Sequence, residues 1–179
     1  MNTDAVLALN HLVALGTIGM QALTLVLLFV FFFKKESLVA KLAGRWGMWV
    51  AFLLSLAGVA VSLVYSDYFG IIPCGLCWVQ RVFLYPQVVL FALALWKKDR
   101  RIADYSIALS IFGAAVALYQ HYLQMGGTSA LPCPASGAGD CAKRFLFEFD
   151  YITFPLVAFS SFALLIVIML FVRRHSVDK

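Results

Sequence analysis

Charge is scarce in this chain. Lysine and arginine number 14 and aspartate and glutamate nine, together 13% of 179 residues. A soluble domain carries about 25% charged and about 45–50% apolar residues; here 63% are hydrophobic. That shortage excludes a solvated globule. It points to an all-α polytopic membrane protein, a single membrane domain over residues 1–179. The net charge of +5 does not mark a nucleic-acid binder, because the basic residues lie between apolar segments instead of on one element. The chain also lacks a Gly-rich dinucleotide turn and any haem or iron–sulfur ligand pattern. No internal repeat or linker divides it. Cysteine is sparse too, at four residues, and so is histidine, at three.

What is present is a series of long apolar runs. They cover about Ala5–Phe33, Gly47–Tyr65, Trp78–Trp96, Tyr105–Leu123 and Ile152–Val172. Each approaches the ~20 residues that a helix needs to cross the hydrocarbon core, and only helices satisfy their own backbone there. The third run is the least clean, with Gln80, Arg81 and Gln87. The first run is expected to be a retained helix rather than a signal peptide. Asp4 precedes it and Lys34 and Lys35 follow it, the reverse of a positive n-region.

Eleven of the 14 basic residues fall on one side if five helices alternate. They are Lys34, Lys35, Lys41 and Arg45, then Lys97, Lys98, Arg100 and Arg101, then Arg173, Arg174 and Lys179. The positive-inside rule makes that side, with the C-terminus, cytoplasmic in a bacterial inner membrane. All four cysteines are then expected outside the cytoplasm, where disulfides persist. Cys74 and Cys77 precede the third run. Cys133 and Cys141 lie in the loop of about Gln124–Asp150, rich in glycine and proline turn signals.

Three readings compete for these cysteines. Structural staples are the common fate of exported thiols, and the four allow three pairings. Yet a Cys74–Cys77 bridge closes a very small loop and removes little unfolded-state entropy. Zinc is weaker, because seven residues separate Cys133 from Cys141 and thiolates fare poorly in an oxidising compartment. Thiol–disulfide exchange fits best, since it needs a stabilised thiolate. Cys77 stands at the start of a helix, where free amides favour an anion. Arg81 follows one turn later on the same face. An arginine there is also free to snorkel to the headgroups, but a charge in a membrane helix is a functional candidate by default. Two thiol pairs on one side of a membrane form a relay, one meeting a soluble partner and the other a lipid-soluble carrier. Location and elimination point to a quinone as that carrier.

At these residues the sequence resembles a known family. "PCGLCWVQR" (residues 73–81) at the head of a membrane helix is similar to the first cysteine pair of the DsbB-type disulfide bond formation proteins, in particular the Gram-positive-type members with a Trp-x-Gln-Arg continuation. "ALYQHYLQ" (117–124) and "GDCAKRF" (139–145) match in order, and the resemblance runs from about Trp46 to Arg174. It implies a four-helix bundle over residues 46–174, to which residues 5–33 add an extra N-terminal helix. It also implies a membrane thiol:quinone oxidoreductase with ubiquinone or menaquinone as electron acceptor. The implied partner is a soluble or membrane-tethered thioredoxin-fold thiol oxidase, besides membrane lipid. Carried over, Cys133 takes the attack of the partner's thiol, and Cys141 is freed to attack Cys74. Cys77 remains as a thiolate beside the quinone, and Arg81 stabilises the complex. Gln80 stands where some relatives carry an acidic residue.

His121, near the end of the fourth run, is a second candidate for quinone or proton contact, since histidine titrates near neutrality. A lone polar residue there is as often simply packed. His11 and His175 read as bystanders. Trp78, Tyr85, Tyr119 and Tyr122 are candidates for a ring pocket, although aromatics at helix ends are more often interfacial anchors. Two rival readings stand beside the relay. One is a vitamin K epoxide reductase-like quinone reductase, whose Cys-x-x-Cys comes late in the chain. The other is a structural or channel protein with stapled loops, against which no helix shows a repeated polar stripe.

Overall fold

A computed structural model of the chain describes residues 3–34, 36–128 and 141–177. Five helices carry the fold: α1 (Thr3–Phe33), α2 (Leu38–Leu63), α3 (Gly75–Lys97), α4 (Ile102–Gln124) and α5 (Phe154–Val177). All five are long and apolar enough to cross a membrane. The described residues contain no strand, only an isolated bridge between Glu148 and Ile152.

The apolar runs mark the helices but not their ends. α2 begins at Leu38, not near Gly47, because Ser37 caps it. The Ser37 hydroxyl accepts a hydrogen bond from the Ala40 amide at 3.2 Å, satisfying one of the free donors of a first turn. Helical pairing then continues through the polar stretch that holds Lys41 and Arg45. At its other end α2 runs into a π-helical turn, Val64–Tyr68, a rare widening that is frequent at functional sites. α5 starts later than expected, at Phe154. Phe149 and Asp150 take left-handed φ values of 51° and 62°, and the tight turn they make holds Ile152 in the bridge to Glu148.

α2, α3, α4 and α5 close a ring, with α1 laid along α5. Small residues set the spacing. A side chain at Gly47 would come within 2.7 Å of Val172, so α2 and α5 approach closely, as small residues permit in membrane bundles. Phe91, Leu165, Met169 and Val172 fill the core. The glutamine that disturbed the third run is buried glue. Gln87 accepts from the Ser106 hydroxyl at 2.7 Å and donates to Ser110 at 3.1 Å, tying α3 to α4 where lipid offers no alternative partner.

The two ends of the bundle differ in chemistry. At one end Arg100 donates to the Gly44 carbonyl (3.1 Å), Arg173 pairs with Asp104 (3.2 Å) and Arg174 donates to the Phe31 carbonyl (3.2 Å). The opposite end carries the start of α3, the end of α4 and Cys141.

Candidate functional site

The site grows from the N-terminus of α3. Cys74 is the capping residue, in extended conformation (φ −72°, ψ 170°), and its sulfur accepts from the Cys77 amide at 3.4 Å. A cap needs a short side chain with a lone pair, and here a thiol fills that place. One turn of helix brings Cys77 back over Cys74. The two carry free thiols with their sulfurs 2.7 Å apart. Cys74 is buried and Cys77 partly so. The hydrogen bond to Cys77 and then burial push the Cys74 thiol above the ordinary thiol range.

α4 holds the pair from the side. Gln120, 1% exposed, donates its Nε2 to Cys74 Sγ at 3.0 Å and to Cys77 Sγ at 3.3 Å. Its Oε1 accepts from Gln80 Nε2 at 2.6 Å. Gln80 thereby fixes which way the Gln120 amide faces, turning its donor edge toward both sulfurs. Cys141 lies in the same buried cluster as Cys74, with Leu76 and Leu123, and is disulfide-bonded. Cys133 lies outside the described residues.

Arg81 points at the end of α2. Its Nη2 donates to the Ser62 carbonyl at 3.1 Å. Its guanidinium lies 5.2 Å from the Trp78 ring centroid and 5.8 Å from that of Tyr85. Flanking rings and a carbonyl partner keep the cation from hanging free in lipid. Tyr85 donates to the Ser62 hydroxyl at 3.2 Å, so the same residue anchors both side chains.

Beside the dithiol lies a cavity of about 520 Å³. Cys74, Cys77, Gln80, Arg81 and Gln120 form one side. The rest is mostly apolar, including Leu54, Gly58 and Val61 of α2 and Phe154, Ala158 and Phe162 of α5. Gln124 also lines it. That residue is 5% exposed and donates to the Lys143 carbonyl at 2.9 Å, while its Oε1 finds no hydrogen-bond partner among the described residues. A buried unpaired acceptor costs about 1–3 kcal/mol.

The description "disulfide bond formation protein DsbB" belongs to the family model that matches residues 44–172. The chain belongs to the DsbB family. It is 37% identical over 114 residues to the SPbeta prophage-derived disulfide bond formation protein B of Bacillus subtilis, covering 64% of this chain and 76% of that protein. Disulfide bond formation protein C of the same organism is 35% identical over 124 residues, covering 68% and 86%. A probable disulfide formation protein C 2 of Bacillus anthracis is 28% identical over 130 residues, covering 73% and 91%. No solved structure gives a significant match. Membership in the DsbB family makes the chain a disulfide-forming membrane protein, in preference to the vitamin K reductase-like and stapled-channel readings.

The structure brings together Cys74, Cys77, Cys141 and Arg81 at one end of this DsbB-family bundle. It places His121 elsewhere. That ring shares a 2.9 Å hydrogen bond with Thr153 at the head of α5 and does not line the cavity. Trp78 and Tyr85 flank Arg81 rather than lining the cavity, and Tyr119 packs against the cysteine cluster. The sequence reading passed over Gln120 and Gln124, although both lie in the "ALYQHYLQ" stretch. It passed over Tyr65 as well. The signal was there: two buried amides in an apolar helix need a polar partner or a ligand.

Proposed function

We propose that the protein reoxidises an extracytoplasmic thioredoxin-fold thiol oxidase and delivers the electrons to a membrane quinone, with the cysteine end of the bundle facing away from the cytoplasm. One observation carries this reading: an adjacent dithiol, gripped by Gln120, forms part of the wall of a largely apolar 520 Å³ cavity within a membrane bundle. Such a cavity excludes water and accepts an apolar ring from the bilayer.

The fit to a quinone is chemical. Its two carbonyl oxygens need donors, and Arg81 at the cavity edge supplies a guanidinium. Its reduced form carries hydroxyl donors, and the unpaired Gln124 Oε1 is an acceptor suited to one of them. When bound, a quinone supplies the oxidising power, taking up two electrons and two protons as the Cys74–Cys77 dithiol closes to a disulfide. The chain's own groups do the rest. Gln120 holds both sulfurs in register, and burial keeps competing thiols away.

The relay upstream balances by exchange alone. We assign Cys133 as the disulfide partner of Cys141. A thiolate of the partner oxidase attacks Cys133 and releases Cys141. Cys141 attacks Cys74 of the closed pair and releases Cys77. The partner's second thiol then displaces Cys133, leaving as oxidised partner. Cys133 attacks Cys141, restoring their bond and releasing Cys74. Free thiols at Cys74 and Cys77 with Cys141 in a disulfide are the state that this sequence leaves ready for the quinone.

The test follows quinone absorbance in detergent micelles with a reduced thioredoxin-fold oxidase, using ubiquinone-1 and menaquinone-4. Wild type should consume quinone and partner thiols in a 1:2 ratio. Cys77→Ser should stop quinone reduction while still trapping the partner as a mixed disulfide, and Cys133→Ser should abolish that trapping. Normal partner oxidation by Cys133→Ser, or no reduction of either quinone by wild type, would refute the reading.

A further inference from the structure

The N-terminal helix lies outside the family match, which begins at residue 44. It is nevertheless built into the site. Leu9, Leu12, Val13, Gly16 and Met20 of α1 line the same cavity as the dithiol. Polar bonds dock the helix there. Buried Asn10 accepts from the Tyr65 hydroxyl at 2.7 Å, His11 meets Glu148 at 3.3 Å, and Gln21 donates to Ser160 at 3.1 Å. The first of these reaches the cysteines. Tyr65 sits in the π-helical turn of α2, and its carbonyl accepts the Ile71 amide at 3.0 Å. That bond fixes the short connection leading through Pro73 to Cys74. A buried polar bond such as Asn10–Tyr65 within a membrane bundle is specific, because lipid cannot replace it.

The packing also leaves a gap. α1 leans on α5 far more than on α2. Gly16 is exposed, and a side chain built there, as at Gly19, meets nothing within 4 Å; one at Gly58 on α2 would touch only Leu84, at 3.2 Å. Both glycines line the cavity. We propose that α1 is the fifth wall of the quinone cavity and that the space left by Gly16 between α1 and α2 receives the substrate's isoprenoid tail. The reasoning is one of length and polarity. The polar groups gather at Cys77, Arg81 and Gln124, so the ring belongs there, and an apolar tail leaves along the side lined by Leu12, Gly16 and Met20. The inference rests on the quinone reading and extends it to a residue that selects for tail.

The experiment separates the two. Equilibrium binding is measured by tryptophan quenching on the oxidised protein, in which no electrons are available for turnover. The probes are menaquinone-4 and tail-less 2,3-dimethylnaphthoquinone. Gly16→Phe places a ring in the gap, and Gly16→Val a smaller obstruction. Either residue is a better helix former than glycine, so thermal unfolding should be unchanged or slightly raised. Menaquinone-4 should bind on the order of tenfold more weakly to Gly16→Phe, the equivalent of about two buried methylenes. Gly16→Val should fall between that variant and wild type. The tail-less probe should change by less than about twofold. Gly19→Phe, on the same helix but off the cavity, should bind both probes as wild type does. Equal loss of both probes, or no loss of either, would overturn the tail path while leaving the quinone reading intact. Failure of wild type to bind either probe would overturn both.

Discussion

Replacing Gln120 by leucine tests the arrangement of the dithiol most directly. The side chain is fully enclosed and makes four contacts: donor bonds to Cys74 and Cys77, an acceptor bond from Gln80 and a long acceptor contact from the Cys77 thiol at 3.8 Å. Gln120→Leu removes them all and strands the Gln80 amide, itself only 8% exposed. An orphaned buried donor costs about 1–3 kcal/mol, so thermal stability should fall visibly. The redox consequence is separate. The Gln120 donor bond opposes the rise that Cys77 and burial impose on the Cys74 thiol. Without it the Cys74 thiol should rise further. A hydrogen bond of about 1 kcal/mol corresponds to about 0.7 pH unit. The sign is fixed: less thiolate at any given pH, and an alkylation profile displaced to higher pH. The assay is iodoacetamide modification of the reduced protein across pH, with Cys74 and Cys77 resolved by mass spectrometry. The double variant Gln80→Leu with Gln120→Leu separates the two effects. Removing both partners of a buried bond is nearly neutral, so stability should return while the displaced profile remains. If Gln120→Leu leaves the pH profile where it was, or if the double variant restores it, the amide does not control the thiols and serves packing alone.

Arg81→Lys keeps a charge but loses the planar fork, so the quinone KM should rise while turnover continues. Arg81→Met removes the charge as well, and the KM should rise by on the order of tenfold or more, the worth of one charge-assisted hydrogen bond; an unchanged curve for both would reduce Arg81 to fastening α3 onto Ser62. For the topology, single reporter cysteines at Thr3 and Ser176 in a cysteine-free background should react with an impermeant maleimide from opposite faces of the membrane, and reaction from one face would contradict five alternating spans.

The spans and the Cys74–Cys77 contact were legible in the chain alone, and both for local reasons. Whether a segment enters lipid depends on summed transfer energies over about 20 neighbouring residues, so five runs were legible without knowledge of their packing. The Cys74–Cys77 contact is set by one turn of helix and a capping position, again a matter of adjacent residues. Arg81 was visible as a charge out of place. Helix ends were less legible, because a single Ser37 cap carried α2 back to Leu38 through polar residues that hydropathy excludes. How the helices are turned about their axes depends on the closed bundle. Successive residues on a helix point about 100° apart, so Gln120 grips the thiols while its neighbour His121 turns to Thr153. Nothing in the apolar pattern of α4, which has no strongly polar face, states which of the two faces α3. The place of α1 was hidden for the same reason. Its residues read only as a span, and its role as a wall of the cavity follows from the Asn10–Tyr65 bond between residues 55 apart in the chain, a pairing that exists only once the bundle has closed.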